Sequence, residues 1–384
     1  MSVKRRDIVA GAAALATGAG VVGALRRKSD KTTLKKHSKT SALAAPNLSQ
    51  NRQQFRLATS WPKDFPGLGQ MPNSVAKRVS EMSDGRLEIK VYAAGELVGA
   101  TECFDAVSTG AADMYHAAEY YWQGKAKGFT FFTAVPMGMT ASEISGWIDH
   151  GGGQELWDKL SEQFNIKPFQ AGNTGHQTGG WFKREIKSLE DFQGLRMRIP
   201  GLGGEVLRRL GGTAVALPGG EIFQALQSGA IDATEWVGPW NDVSFGFHRE
   251  AKHYYAPGFH EPGASLALGV NLDVWNSLSA SDQAIIRTAC EATNHSSNGQ
   301  YTINNAKWLQ TLKDDYGISP KFFSQDILKT VGRISDEVVA DFGQSDAQTQ
   351  GIYESFLRSR NTSRKWTEMS DGLYIQARRA ALGE

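Results

Sequence analysis

One ten-residue segment occurs twice in this chain, and the repeat limits the folds that the chain can adopt. The pattern F-x-A-φ-x-[ST]-G-A-x-D, with φ an aliphatic residue, fits 104–113 and 223–232, which lie 119 residues apart. A period of this length indicates two similar lobes and not a solenoid. Each copy is typical of an amphipathic helix that ends at a glycine suited to the left-handed conformation, followed by a short apolar strand. Two such units predict two α/β lobes, with the functional site in the cleft between them.

The rest of the chain alternates short strands with helices. Period-two alternation predicts strands at 54–60, 86–92, 167–172, 195–199 and 265–270. Helical periodicity predicts helices at 71–83, 143–164, 204–210 and 282–316, the last of them capped by Ser279. This alternation favours mainly parallel sheets covered by helices on both faces, in which ligands lie beyond the carboxyl ends of the strands.

The first 44 residues are typical of an export signal. Two arginines, Arg5 and Arg6, precede a weakly hydrophobic Gly/Ala-rich stretch, 8–25, and Ala42-Leu43-Ala44 offers a small-x-small cleavage site. This resembles a twin-arginine signal. The alternative is an uncleaved anchor, since the stretch of 18 residues is just long enough to span a bilayer.

The basic residues of the predicted signal make the net charge of the whole chain positive, although the remaining chain is acidic. Residues 1–44 hold ten Lys/Arg and two Asp/Glu, so the remainder carries 32 basic and 38 acidic residues, a net charge of −6. A mildly acidic body argues against nucleic acid as a partner. The two cysteines, Cys103 and Cys290, lie in apolar helical patterns, which favours buried free thiols over a disulfide.

The predicted strand ends hold the candidate site residues. Arg198 is the last charged residue of the strand at 195–199, where its two-pronged guanidinium could hold a carboxylate or form a surface ion pair. Glu235-Trp236 follows the second repeat copy at the matching strand end. Glu235 would repel a bound anion unless a cation lay between them; alone, it reads equally well as an exposed loop acid.

No catalytic motif stands out beside these residues. The glycines at 201–204 fail the G-x-G-x-x-G pattern because position 206 is Val206. The segment His260-Glu261-Pro262 has no second metal ligand nearby in sequence. No nucleophile–base pair is apparent.

Four segments together resemble the solute-binding component of tripartite ATP-independent periplasmic (TRAP) transporters, from about residue 53 to the C-terminus. They are A-E-Y-Y-W at 118–122, T-A-V-P at 133–136, L-x-D-F-x-G-L-R-M-R-I-P-G at 189–201 and A-T-E-W-V-G-P at 233–239. Within the family, the chain is most similar to the branch that binds 2-oxo acids or lactate together with a metal cation. The resemblance implies a periplasmic protein with a two-lobed periplasmic-binding-protein fold.

The resemblance also implies roles for single residues. Arg198 would bind the substrate carboxylate, while Tyr120 or Tyr121 would reach in from the first lobe. The cation, sodium or calcium, would be held by Gln177 and Glu235 through side-chain oxygens and by Trp236 through its backbone carbonyl. Gln177 and Trp236 would thus serve both ligand and cation, and Glu261 is a further cation ligand.

The same resemblance implies the lobe boundaries and the binding partners. We predict lobe I at 52–171 plus about 259–290, lobe II at 172–258 plus part of 291–340, and a helical tail at 341–384. The lobes should close by flexing near 170–172 and 265–270. The partners implied are a small monocarboxylate, the membrane permease subunits of a TRAP transporter, and a second copy of the chain bound through the tail. A metal-dependent enzyme on the same fold and a periplasmic sensor subunit stay as alternatives.

Overall fold

The computed structural model describes residues 52–383, so the predicted export signal lies outside the described residues. Eleven strands form two sheets in this part of the chain. They are β1 (Gln53–Thr59), β2 (Leu87–Tyr92), β3 (Met114–Ala117), β4 (Ile166–Asn173), β5 (Gly180–Phe182), β6 (Arg196–Arg198), β7 (Thr213–Val215), β8 (Ala233–Thr234), β9 (His253–Ala256), β10 (Ser265–Asn271) and β11 (Lys321–Phe322).

Each sheet belongs to one lobe and is parallel except for a single strand. The lobe I sheet has the order β2-β1-β3-β10-β4, and β10 runs antiparallel to both of its neighbours. The lobe II sheet has the order β11-β9-β5-β8-β6-β7, and β5 is the reversed strand. The prediction of two α/β lobes with mainly parallel sheets is therefore confirmed. The exact lobe boundaries remain predictions; β4 itself runs to Asn173, two residues beyond the predicted limit of lobe I.

Thirteen α-helices flank these sheets in residues 52–383. They are α1 (Gln70–Met82), α2 (Cys103–Ser108), α3 (Ala141–His150), α4 (Gly153–Glu162), α5 (Gly201–Arg209), α6 (Gly219–Ser228), α7 (Pro239–Phe245), α8 (Phe247–Glu250), α9 (Leu272–Ser277), α10 (Ala280–Asp314), α11 (Gln325–Gly343), α12 (Ala347–Thr367) and α13 (Leu373–Leu382). The prediction of a single helix at 143–164 was wrong. The segment forms two helices, because Gly152 takes a left-handed φ of 82° between them. Ser279 caps α10 as predicted, by accepting a hydrogen bond from the Asp282 amide.

The repeated segment forms the same structure in both lobes. Gly110 and Gly229 end their helices at φ values of 79° and 76°, as predicted. The last residue of each copy, Asp113 or Asp232, then forms a hydrogen-bonded ion pair with an arginine on the neighbouring parallel strand.

The two ion pairs have the same hydrogen bonds. Asp113 accepts from the Arg56 amide at 2.7 Å and from Nε and Nη2 at 3.1 Å each, while its own amide donates to the Arg56 carbonyl. Asp232 makes the same four bonds with Arg196, the three that it accepts being 3.2, 2.9 and 2.8 Å long. The sequence repeat therefore marks a helix–strand unit whose aspartate fixes its strand to the neighbouring parallel strand in each lobe.

Two chain segments cross between the lobes side by side. Residues 174–179 lead from β4 to β5, and residues 257–264 lead from β9 back to β10. They are joined by backbone hydrogen bonds such as Thr174 to Ala264 and Gly258 to Gln177. The regions predicted to flex, 170–172 and 265–270, instead lie inside the lobe I sheet, where β4 and β10 pair with each other. The crossing segments are therefore the better location for a hinge.

The C-terminal helices differ in how they pack against the two lobes. Helix α10 packs on β4 and α1 in lobe I and on α7 in lobe II. Helix α12 packs on lobe I, where Trp147 donates to the Ser355 hydroxyl at 3.1 Å. Helix α13, by contrast, has no buried residue. Both cysteines are buried and free, as predicted. In residues 52–383 we find no helix with the length and apolar character needed to cross a membrane.

Candidate functional site

A small cavity lies where the chain crosses between the lobes. It is lined by Trp61, Leu68, Tyr120, Tyr121, Thr174, Gln177, Arg198, Trp236, Val237, Glu261, Ala264 and Leu266. Most of these residues follow the carboxyl ends of strands: Trp61 after β1, Tyr120 after β3, Thr174 after β4 and Trp236 after β8. The cavity is narrow and lined by large side chains, so it suits a small molecule.

Arg198 is the cationic centre of this cavity. It ends β6 and is only 2% exposed. Its Nη1 donates to Glu235 Oε1 at 2.5 Å, its Nε donates to the Leu217 carbonyl at 3.2 Å, and its guanidinium lies 4.9 Å from the Trp236 ring centre. Burial disfavours the charged form, but Glu235 and the nearby tyrosines raise the pKa of Arg198 overall. The cavity therefore keeps a fixed positive charge.

Two buried carboxylates and a histidine lie beside Arg198. Ligand atoms of Glu235, His260 and Glu261 all fall within 4.8 Å of one another. His260 Nε2 is 3.1 Å from Glu235 Oε2. Burial lowers the pKa of His260, but the hydrogen bond to Glu235 and the negative charges of Glu235 and Glu261 together outweigh it, so the net shift is upward. Burial, helped by the charge of Glu235, raises the pKa of Glu261 to about 7. These acids are held close together at a free-energy cost that a bound cation would offset.

Gln177 leaves a buried oxygen without a partner. Its Nε2 donates to Glu261 Oε2 at 2.7 Å and to Thr174 Oγ1 at 3.1 Å. Its Oε1 is buried and has no hydrogen-bond partner among residues 52–383. A buried polar atom of this kind ordinarily has a partner. An amide oxygen beside two carboxylates is a donor set that sodium or calcium prefers, so these residues fit a hard cation.

Lobe I contributes two adjacent tyrosines to the wall of the cavity. Tyr120 and Tyr121 lie in a one-turn helix, Glu119–Trp122, and their rings meet edge to face at 5.0 Å. Burial raises the pKa of both hydroxyls, that of Tyr121 to about 12. Both therefore stay protonated and can donate hydrogen bonds.

The structure brings every predicted site residue to this one place. Six of them line the cavity, and Glu235 lies against Arg198. Their individual roles remain predictions. Sequence reasoning missed His260, which was set aside because no second ligand lay nearby in sequence; the pairing with Glu235 spans 25 residues. It also missed Trp61 and Leu68, which carry no local signal beyond their place after β1.

A two-lobed α/β fold with a charged cavity at the crossing is the architecture of a solute-binding protein. The sequence model of the DctP family, described as bacterial extracellular solute-binding protein, family 7, matches residues 57–346, and the chain belongs to this family. Its members are the solute-binding components of TRAP transporters and work outside the cytoplasm, which confirms the resemblance seen in the sequence.

Three members of the family are similar to this chain over most of its length. A monocarboxylate 2-oxoacid-binding periplasmic protein of Nostoc sp. is 41% identical over 321 residues, covering 84% of this chain and 88% of the relative. A TRAP solute-binding protein of Pseudoalteromonas atlantica, solved with bound sodium and pyruvate, is 40% identical with a TM-score of 0.82, over 85% of this chain and 99% of that one. One from Bordetella bronchiseptica, a mixed-occupancy dimer with calcium and picolinate, is 32% identical with a TM-score of 0.84, over 86% and 98%. All three relatives are described as solute-binding proteins.

Proposed function

We propose that this chain captures a small monocarboxylate outside the cytoplasm, a 2-oxo acid such as pyruvate or the related lactate, together with sodium or calcium. It then delivers the ligand to the membrane permease of a TRAP transporter. The observation that carries the proposal is the pairing of a buried arginine with a cation-type oxygen set in one cavity. The ligands of the Nostoc and Pseudoalteromonas relatives support the same class of solute.

In this proposal the role of each residue follows from its chemistry, and Gln177 and Trp236 contact both the ligand and the cation. Arg198 pairs with the ligand carboxylate, and Tyr120 and Tyr121 contact the ligand from lobe I. Gln177 Oε1, the Glu235 carboxylate, the Trp236 carbonyl and Glu261 hold the cation. The cation supplies positive charge between Glu235 and the bound carboxylate, which would otherwise repel each other.

The direct test is to identify what the protein carries. Protein purified from its own host without refolding should release a 2-oxo acid or lactate detectable by mass spectrometry. Calorimetry should then show that the same acid rebinds. Release of a sugar, an amine or a dicarboxylate, with no binding of pyruvate or lactate, would contradict the proposal.

The enzyme and sensor alternatives have separate tests. An enzyme would consume pyruvate, so we expect the concentration of pyruvate to stay constant during long incubation with the cation-loaded protein. A transport role predicts co-purification with a TRAP permease, whereas a sensor role predicts co-purification with a membrane receptor.

The export route belongs to the same proposal. Arg5 and Arg6 direct the chain through the twin-arginine route, and the signal is removed near Ala44. Replacing both arginines by lysine should leave the protein in the cytoplasm. The N-terminus of the exported protein, read by mass spectrometry, decides between cleavage and a retained anchor.

The tail supports a homodimer. Apolar side chains on α12 and beyond are largely exposed, including Trp366 at 64%, Leu373 at 55% and Tyr374 at 64%. Such a helix gains stability by burying these side chains against a partner, here a second copy. Light scattering should give a dimer for the full chain and a monomer for the Trp366→Glu, Leu373→Glu double variant. Phe322→Glu, at an apolar residue exposed elsewhere, is the control.

A further inference from the structure

The wall of the ligand cavity includes Trp61, and a buried histidine holds its indole ring. Trp61 follows β1 and is 2% exposed. Its Nε1 donates to Nδ1 of His116 at 2.8 Å. The Ser60 amide donates to the His116 carbonyl at 3.2 Å, so the backbone of this loop is bound to the same residue. Trp61 is therefore attached to His116 through its own side chain and through the residue before it.

His116 also contacts β4, at a β-bulge. Strand β10 lies between β4 and β3, the strand that carries His116. The pairing of β10 with β4 is irregular between Leu266 and Ala267, and it leaves Ala171 of β4 without a partner on β10. An extra residue in a bulge is left unpaired in this way. Nε2 of His116 lies 3.3 Å from the Ala171 carbonyl oxygen. The imidazole therefore bridges β4 and Trp61.

These two neighbours determine which ring nitrogen of His116 carries the proton. An indole N–H can only donate, so Nδ1 must accept; a backbone carbonyl can only accept, so Nε2 must donate. Burial lowers the pKa of His116 to about 4, so the ring is neutral at neutral pH and keeps its accepting nitrogen. A neutral imidazole with its proton on Nε2 satisfies both partners, and no other protonation state does.

The bond to His116 leaves Trp61 with an apolar surface to offer the cavity. Because its one side-chain N–H is used by His116, the indole has no hydrogen bond to give to a ligand. The ring meets that of Trp236 in lobe II edge to face, with 6.5 Å between ring centres, and lies 6.4 Å from the ring of Tyr121. Trp236 and Tyr121 both belong to the proposed ligand site. The orientation of the Trp61 ring thus fixes the shape of the cavity beside two proposed ligand contacts.

We propose that His116 is a positioning residue of the ligand site, which holds the Trp61 indole in its place in the cavity wall. His116 itself is not among the residues that line the cavity. This inference rests on the proposed function and adds a residue to its site. The competing interpretation is that His116 is only a packed core residue, whose replacement would lower the stability of the protein without a selective effect on ligand binding.

Asparagine and glutamine separate the two hydrogen bonds of His116. An asparagine amide lies near the position of Nδ1 and can still accept from Trp61, whereas a glutamine amide lies near Nε2 and serves the Ala171 carbonyl instead. We would titrate pyruvate by calorimetry, with sodium and calcium present, into wild type, His116→Asn and His116→Gln, and measure the thermal unfolding of each. His248→Gln, at a buried histidine outside the cavity lining, is the control.

The glutamine variant alone should bind pyruvate poorly. We expect His116→Gln to weaken binding by about tenfold, because an indole N–H without a partner no longer fixes the ring. His116→Asn and the control should stay within about threefold of wild type, whatever their thermal stability.

Two further measurements do not depend on this pair of variants. Phenylalanine has no N–H, so His116→Gln should weaken pyruvate binding much less in a Trp61→Phe background than in the wild-type background; such non-additivity marks residues that act through each other. Nitrogen-15 NMR spectra of protein with labelled histidine should show a neutral His116 ring with its proton on Nε2.

The outcomes separate the two interpretations. Equal pyruvate affinity in His116→Asn and His116→Gln, or an equal effect of His116→Gln in both backgrounds, overturns the positioning role. A proton on Nδ1 of His116 overturns it as well, and this result stands even where His116→Gln fails to fold. Failure of wild type to bind pyruvate contradicts the proposed function itself, whereas normal binding by wild type with no difference between the histidine variants contradicts only this inference.

Discussion

Arg198 and Arg196 are two residues apart on one strand and have opposite surroundings. Arg196 is exposed and held by Asp232, whereas Arg198 is buried against Glu235. Both sit on the same side of β6 in the strand alternation, so side-chain direction alone does not separate them. What separates them is that β6 ends at Arg198, at the lobe crossing.

This pair gives a matched test of the carboxylate anchor. Arg198→Ala should weaken binding by about 2–5 kcal/mol, or roughly 30- to 5,000-fold, because the buried carboxylate loses its partner. Arg198→Lys should also bind poorly, since an ammonium lacks the two-pronged geometry. Arg196→Ala is the control and should leave the affinity unchanged. Calorimetry showing Arg198→Ala within about threefold of wild type would rule out the anchor.

A second prediction at this scale concerns Glu119. This carboxyl is buried in lobe I, accepts a hydrogen bond from Tyr115, and burial raises its pKa to about 8. In the unfolded chain a glutamate has a pKa of about 4.3. Between these values the folded protein holds a proton that the unfolded chain has lost, so its contribution to stability falls as the pH rises.

Denaturant unfolding of Glu119→Gln checks this sign. Glutamine cannot titrate, so the free energy of unfolding of the variant, relative to wild type, should increase between pH 6 and pH 9. Glu155→Gln, at an exposed residue of α4, should show no such trend. A constant difference between Glu119→Gln and wild type across this range would mean that Glu119 does not titrate there.

At the scale of elements, the repeated helix ends offer the cleanest test of the duplication. Gly110 and Gly229 have positive φ, and a Cβ at either would meet no atom within 4 Å. Alanine there strains the backbone without a clash, so each substitution should destabilise its lobe by about 1 kcal/mol. Gly146→Ala, in the interior of α3 with open space around it, should instead stabilise by about 0.5–1 kcal/mol. Unequal effects at Gly110 and Gly229 in thermal unfolding would show that the two copies are not equivalent.

The sequence predicted elements better than it predicted their contacts. The repeat, the strand alternation and the α10 cap all come from local spacing, and they appear where local chemistry places them. The break between α3 and α4 was missed because apolar spacing continues across Gly152. Gln177 could be named only through the family resemblance, since a lone glutamine in a loop carries no local signal. His260 was missed because its partner Glu235 is close only after β9 and β10 fold.

At the scale of the whole molecule, lobe I reaches across the cleft through the loop between β1 and α1. Phe65 stacks on Phe245 of lobe II at 4.2 Å. The neighbouring Pro66 carbonyl accepts from Asn241 Nδ2 at 2.9 Å, and Tyr301 of α10 donates to Asn241 Oδ1 at 2.8 Å. These contacts join the lobes, so opening the cleft must break them.

Phe65→Ala should therefore speed ligand release. Losing a buried aromatic anchor should raise the dissociation rate by about tenfold or more, with a much smaller effect on association. Stopped-flow displacement measures both rates, and Phe322→Ala, at an exposed phenylalanine, is the control. An unchanged dissociation rate would mean that this loop does not hold the cleft shut.

The central claim is that ligand and cation share one site. Arg198 and His260 bring at most two positive charges, while Glu235, Glu261 and a bound monocarboxylate bring three negative ones. Burying that set without a further cation leaves an uncompensated charge that costs several kcal/mol. Ligand and cation should therefore strengthen each other by the same factor, roughly 5- to 150-fold.

The measurement is a pyruvate titration after chelation of metals, in a choline buffer free of sodium, followed by return of sodium or calcium alone. We expect the affinity to fall on removal and to recover with one ion, which also names the ion. Glu235→Gln should weaken this dependence, because the cation then has less negative charge to neutralise. Pyruvate affinity that stays the same without either cation would contradict the shared site.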